Sequence, residues 1–136
     1  MPISFLQEKA WPLASWVTAI NVWVAGSYSI AGLVSPLSIL PSGYTATPAS
    51  SLFAMYAAAR SIPLALMVWV AIYRHATSTL LVLGALAGII QVLDAGVGLF
   101  QHDPGKIVGP LVIATLQFCA VLVLRRSARN TLHGVR

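Results

Sequence analysis

Long apolar runs alternate with short polar segments along this chain. Four runs reach the roughly 20 residues that a membrane-spanning helix needs. They lie at about residues 11–34, 52–73, 77–100 and 107–124. The connections at 74–76 and 101–106 are short, which favours antiparallel neighbours, whereas the proline-rich segment 35–50 predicts a loop with a short helical turn. We predict an all-α integral membrane four-helix bundle, up-down in topology, forming one domain over residues 1–136.

The composition agrees with a membrane protein. Hydrophobic residues make up 58% of the chain and charged residues only 8%, against about 25% charged in a typical soluble domain. Cys119 is the only cysteine, and inside an apolar run it behaves as a small hydrophobe. Disulfide redox chemistry, of the kind carried out by vitamin K epoxide reductase, is therefore disfavoured. No metal-ligand spacing is present, and we expect neither a metal nor an organic cofactor.

The basic residues predict the orientation. Cytoplasmic loops carry an excess of Lys and Arg, and with both termini in the cytoplasm six basic residues lie inside and only Lys106 outside. The inner set is Lys9, Arg74, Arg125, Arg126, Arg129 and Arg136. The net charge of +5 therefore indicates topology, with contact to anionic lipid headgroups as the alternative, and not a nucleic-acid partner.

The third run carries a stripe at helical spacing in which all but Gln91 are small: Gly84, Gly88, Gln91, Ala95 and Gly98. Such stripes allow helices to approach closely. Packing within the bundle is the favoured interpretation, because a four-helix protein has internal neighbours to contact first. A homodimer interface is the alternative.

Arg60 and Asp94 are the two ionisable residues inside runs two to four. Such residues are rare in membranes and suggest a functional site. Arg60 lies eight residues from the outer end of its run, roughly 12 Å, and Asp94 six residues from the outer end of its run, roughly 9 Å. At these similar levels we expect a guanidinium–carboxylate ion pair.

Other polar side chains are predicted near this pair. Tyr56 shares a helical face with Arg60, and Gln91 shares one with Asp94. The remaining candidates for binding a substrate are Asn21, Tyr28 and Gln117 inside the runs, and His102 and Asp103 in the outer loop. Convergent polar groups in an apolar bundle are typical of a small-molecule pocket. A purely structural ion pair is the alternative, and solvated turn residues are the plainer interpretation of His102 and Asp103.

The residue types suggest acid–base chemistry. A desolvated carboxylate beside an arginine can act as acid or base, and Tyr56 or Tyr28 can donate a proton or stabilise an oxyanion. We predict a membrane enzyme that isomerises a lipophilic molecule, or opens or cyclises an epoxide, with Asp94, Arg60 and Tyr56 as catalytic residues. The molecule would enter from the membrane lipids. Because a bundle this small has little interior, the molecule would be slim or partly exposed to lipid, or a dimer would complete the site.

Two segments resemble the DoxX-like family of small four-helix membrane proteins. They are "YAAARSIPLAL" (Tyr56 to Leu66) and "LLVLGALAGIIQVLDAGVG" (Leu80 to Gly98). The resemblance covers about two thirds of the chain. It implies a four-helix bundle with Arg60 and Asp94 as its polar pair, and DoxX itself is associated with quinone-linked sulfur oxidation.

Two other functions stay open. A non-enzymatic accessory subunit would dock on a larger membrane redox complex through the small-residue stripe. A transporter or channel would need a continuous polar path, which one pair of charges in so short a chain does not supply.

Overall fold

The computed structural model describes residues 3–40 and 43–133 and is all-helical. The four helices are α1 (Ile3–Val34), α2 (Pro48–Tyr73), α3 (Thr77–Phe100) and α4 (Pro104–His133). A 3₁₀ turn, Pro36–Ser38, follows α1, as the proline-rich segment predicts. Each helix contains a stretch long and apolar enough to cross a membrane, which indicates a multi-pass membrane protein. Arg136, one of the predicted inner charges, lies outside the described residues.

Helices α1, α2 and α4 extend beyond the apolar runs that predict them, and α3 has the predicted bounds. Helix α2 begins at Pro48, where Thr47 and Ser50 form a reciprocal capping box. Helix α4 begins at Pro104, where the Asp103 Oδ1 accepts from the backbone N–H groups of Gly105 (3.0 Å) and Lys106 (3.3 Å). Apolar runs mark the part of a helix that crosses the bilayer, whereas capping residues mark where the helix begins.

The two short turns share one backbone geometry. His75 and His102 both have positive φ, 50° and 52°. The residue after each histidine donates its N–H five residues back, from Ala76 to the Ala71 carbonyl (2.9 Å) and from Asp103 to the Gly98 carbonyl (3.1 Å). This is the Schellman arrangement, in which glycine usually takes the left-handed position. Two histidines accept that conformation here, and both turns are consequently tight.

The small-residue stripe packs inside the bundle. Helices α3 and α4 form the largest interface, and α1 packs on α2 and α4. A Cβ at Gly88 would lie 3.0 Å from the Phe118 ring, and a Cβ at Gly98 would overlap the Lys106 backbone carbonyl. The stripe is therefore the α3 side of the α3–α4 interface, in agreement with the favoured interpretation and not with an exposed dimer face.

Contacts between the connections identify the two ends of the bundle. The Lys106 Nζ donates to the Ile39 carbonyl at 3.2 Å, which brings the start of α4 to the α1–α2 loop. We call this the loop end. The Trp11 and His75 rings lie with centroids 5.3 Å apart, which brings the first turns of α1 to the α2–α3 turn. We call this the opposite end.

Helix α2 contacts α1 toward the loop end and joins the shared core toward the opposite end. At the loop end the Ser29 Oγ donates to the Ser61 Oγ at 2.9 Å. Toward the opposite end Val68 belongs to a buried core to which all four helices contribute, with Ala14 of α1 and Leu80 of α3 among its members. Pro63 lies between these two regions, and a proline inside a helix removes a backbone hydrogen bond and favours a bend. The α2–α3 interface is smaller than the α1–α2 interface.

Candidate functional site

A buried cluster of neutral polar side chains joins three helices. The Gln91 Nε2 donates to the Asn21 Oδ1 at 2.7 Å, and the Asn21 Nδ2 donates to the Gln117 Oε1 at 3.1 Å. The Gln117 Nε2 in turn donates to the Thr18 Oγ1 at 2.8 Å. We call these four residues, Thr18, Asn21, Gln91 and Gln117, the amide cluster. They link α1, α3 and α4 through hydrogen bonds and are at most 4% exposed.

Glycine on α3 makes room for this cluster. A Cβ at Gly84 would lie 2.9 Å from the Gln117 Nε2 and 3.4 Å from the Thr18 Oγ1. Ser15 lies one turn before Thr18 on α1. Its Oγ is buried and has no hydrogen-bond partner in the described part of the chain. The same stripe that brings α3 against α4 therefore also admits the polar side chains between them.

The structure brings together three of the predicted substrate-binding residues. The side chains of Asn21, Gln91 and Gln117 meet, and their amide groups hydrogen-bond to one another. This geometry is that of interhelical hydrogen bonding, and a role in orienting substrate stays a prediction. The sequence interpretation did not include Thr18, although it lies one helical turn before Asn21 and shares its face.

A shallow apolar cleft reaches the amide cluster. It has a volume of about 90 Å³ between α1 and α4, and Asn21 is the polar residue of its lining. Leu116 of this lining also borders a wider groove of about 300 Å³ on the side of α4. The groove residues are Val108, Leu111, Val112, Thr115 and Leu116. Neither cavity is lined by Arg60 or Asp94.

Arg60 and Asp94 lie on the side of the bundle. Both are exposed, although both belong to helices that can cross the membrane. In the described chain neither has a hydrogen bond or an ion pair, and the ion pair found there joins Lys106 to Asp103 at 3.7 Å. The expected contact between Arg60 and Asp94 is therefore not formed in this structure. In the half that carries Arg60, α2 is hydrogen-bonded to α1 through Ser61 and Ser29, and the α2–α3 interface as a whole is small.

Arg60 and Asp94 lie on helices that follow one another in the chain. Arg60 shares a helical face with Leu64, and Asp94 shares one with Ala87; Ala87 belongs to the buried core and Leu64 packs against that core. Counted from the α2–α3 turn, the two charges differ in level by four residues, about 6 Å. We use the name charged opening for the exposed surface of α2 and α3 that carries these two charges.

The other predicted site residues form no hydrogen bond or ion pair with Arg60 or Asp94 in the described chain. Tyr56 and Tyr28 are exposed on the sides of α2 and α1. No hydrogen bond or ion pair among the described residues connects either tyrosine, His102 or Asp103 to the charged opening. Asp103 caps α4 and His102 forms the turn before it, so both act as turn residues in this structure.

The described residues contain no group of three or more His, Cys, Asp or Glu side chains placed to hold a metal ion. No protein-family model matches the chain, and no curated protein or solved structure matches it significantly.

Proposed function

We propose that this protein is a small membrane enzyme that receives a lipophilic molecule sideways from the bilayer and carries out cofactor-free acid–base chemistry on it. The supporting observation is the charged opening, where two opposite charges inside membrane-crossing helices are exposed and unpaired. A charged side chain in the bilayer core is unfavourable by at least about 2.5 kcal/mol. Such residues therefore need a polar group from outside the bundle.

The residue chemistry suits proton transfer. Asp94 as a carboxylate removes a proton from one position of the substrate, and the carboxylic acid returns it at another, so an isomerisation needs no oxidant or reductant. Arg60 stabilises the negative charge that develops between the two steps. Tyr56, one helical turn from Arg60 and exposed beside it, is the proposed additional proton donor. Opening or cyclisation of an epoxide uses the same groups, with the acid protonating the epoxide oxygen.

The amide cluster has a supporting role in this proposal. Gln91 lies one turn from Asp94 on α3, and its hydrogen bond to Asn21 links that part of α3 to α1. A neutral network with most of its donors and acceptors paired stabilises one arrangement of helices. It would hold Asp94 at a fixed height beside the opening.

We further propose an up-down bundle with both termini in the cytoplasm, so that the loop end faces outward. The contact of Trp11 with His75 and the short turns support this topology. The charges support the orientation, because Arg74 and the arginines near the end of α4 lie toward one side and Lys106 toward the other. Fusion of a periplasm-active or cytoplasm-active reporter to each terminus tests it.

Mass spectrometry of co-purifying small molecules tests the enzyme proposal. Wild type, Asp94→Asn and Asp103→Asn would be extracted gently and compared. We expect one lipophile in all three samples, with its chemical form altered only in Asp94→Asn. Asp103→Asn is the matched control, because Asp103 caps a helix outside the charged opening. Recovery of nothing but bulk lipid from each sample would contradict the proposal.

A non-enzymatic subunit of a larger membrane complex is the second candidate, and it also accounts for unpaired charges. Docking through the small-residue stripe does not suit the structure, since α4 covers that stripe. A partner would instead dock at the charged opening. The resemblance to DoxX-like proteins is compatible with this candidate and stays a prediction. Recovery of a second polypeptide whose binding depends on Arg60 and Asp94 would favour it over the enzyme.

A further inference from the structure

The charged opening has a property that points to its partner: it carries one charge of each sign, and both are exposed and without an ion pair in the described chain. We infer that a second copy of this chain supplies the missing counter-charges, with Arg60 of each copy paired to Asp94 of the other across a twofold axis. The inference rests on the proposed importance of the charged opening, but not on its chemistry. It makes the site a shared one, to which each copy contributes one of the two charged residues.

Symmetry makes the charges complementary. In an isologous dimer the contact of residue i with residue j is repeated as j with i, so a single Arg60–Asp94 contact generates two ion pairs. A twofold axis along the membrane normal leaves every residue at its own depth. Arg60 of one copy and Asp94 of the other therefore differ in level by the same 6 Å or so as within one chain, a difference that the long arginine side chain can bridge.

The surface around Arg60 permits close approach. Ala57 lies one turn before Arg60 on the same face of α2 and is exposed. Small residues at a helix surface allow another helix to pack closely in a membrane. Phe53 and Met67 flank this position and are 71% and 51% exposed, so they provide apolar contact area around the ion pairs. The stripe on α3, by contrast, is already covered by α4.

A second copy fits better than an ion pair within one chain. Moving the first half of α2 toward α3 to form an ion pair within one chain would disturb the Ser29–Ser61 hydrogen bond and the packing of Ala54 near Gly32. Pairing between copies leaves the bundle as it is. The dimer would also enclose the charged opening between two bundles, where a lipophilic molecule could contact both Arg60 and Asp94 away from bulk lipid.

Complementary charge reversal tests the inference. Arg60→Asp gives a chain with two carboxylates at the opening, and Asp94→Arg gives a chain with two guanidiniums. Alone, each variant would place like charges opposite each other in the dimer, and its self-association in lipid vesicles should fall about tenfold or more. Mixed together, the two variants place opposite charges at both contacts, so association between differently labelled copies should return.

The readout is energy transfer between labelled copies as the protein is diluted into lipid. Arg60→Asp/Asp94→Arg in one chain should self-associate like wild type, and Asp103→Arg, outside the opening, should leave association unchanged. Circular dichroism confirms that each variant is helical. If a charge-reversed chain does not fold, the neutral variants Arg60→Gln and Asp94→Asn replace it, and both should weaken self-association.

Two results would overturn the inference. One is wild-type protein that stays monomeric at every lipid dilution. The other is rescue in the doubly reversed chain without rescue in the mixture, which would show an ion pair within one chain. Failure of the proposed function looks different: a dimer that retains no lipophile would refute the enzyme and leave the dimer, whereas a monomer that retains one would refute the dimer alone.

Discussion

The polar side chains of the amide cluster and those of the charged opening lie in opposite environments. The neutral side chains of Asn21, Gln91 and Gln117 are buried and bond to one another, whereas the charges of Arg60 and Asp94 are exposed and unpaired in the described chain. In water the charged groups would simply face solvent. In a bilayer, the outside of a bundle is as apolar as its inside. The buried amide groups therefore stabilise the bundle, whereas the exposed charges are available to bind a partner.

Disrupting the α3–α4 interface should lower the stability of the buried part of the bundle most severely. Gly98→Ala would place a Cβ on the Lys106 backbone carbonyl, which cannot move as a flexible side chain can. We expect a loss of about 1–3 kcal/mol in the free energy of unfolding, measured by titration from a mild into a denaturing detergent.

Gly96→Ala is the matched control on the same helix. A Cβ at Gly96 meets nothing within 4 Å, so the gain in helix propensity should leave stability equal or slightly higher. Equal losses in both variants would mean that Gly98 does not lie against α4.

Removing the centre of the amide cluster should have the next largest effect. Gln117→Leu leaves the Asn21 Nδ2 and the Thr18 Oγ1 without their partner. We expect unfolding to become easier by about 1–2 kcal/mol. Thr115→Val on the same helix is the control, since the Thr115 hydroxyl bonds to its own helix at the Leu111 carbonyl and is exposed. No difference between the two variants would argue against a stabilising cluster.

The smallest effect should come from the surface ion pair at the loop end, which shows how little an exposed charge contributes to folding. Lys106→Met removes bonds to the Ile39 carbonyl, the Gln101 Oε1 and the Asp103 carboxylate. Because these groups are partly exposed, the stability should change by less than about 1 kcal/mol. Cleavage within the loop by an added protease should nevertheless accelerate, and unchanged cleavage would show that Lys106 does not restrain the loop.

The sequence predicted the helices well and the placement of Arg60 poorly. Apolar length and the short turns determined α3 to the residue, and the glycine stripe correctly indicated the face that packs internally. Apolar periodicity cannot orient α2, because in a membrane the lipid-facing side is as apolar as the buried side. The contacts of α2 on either side of Pro63 depend on packing between distant segments. Matched depth was consequently not sufficient evidence for an ion pair within one chain.

Comparing Gln91→Leu with Asp94→Leu distinguishes a polar group that stabilises the bundle from one that does not. The two residues lie one turn apart on α3 and receive the same replacement, but one is buried in the amide cluster and the other is exposed. Unfolding would be measured at a detergent ratio where the wild type is monomeric. We expect Gln91→Leu to lose about 1 kcal/mol in the free energy of unfolding and Asp94→Leu to lose nothing. A loss in Asp94→Leu as large as that in Gln91→Leu would show instead that Asp94 stabilises the single bundle.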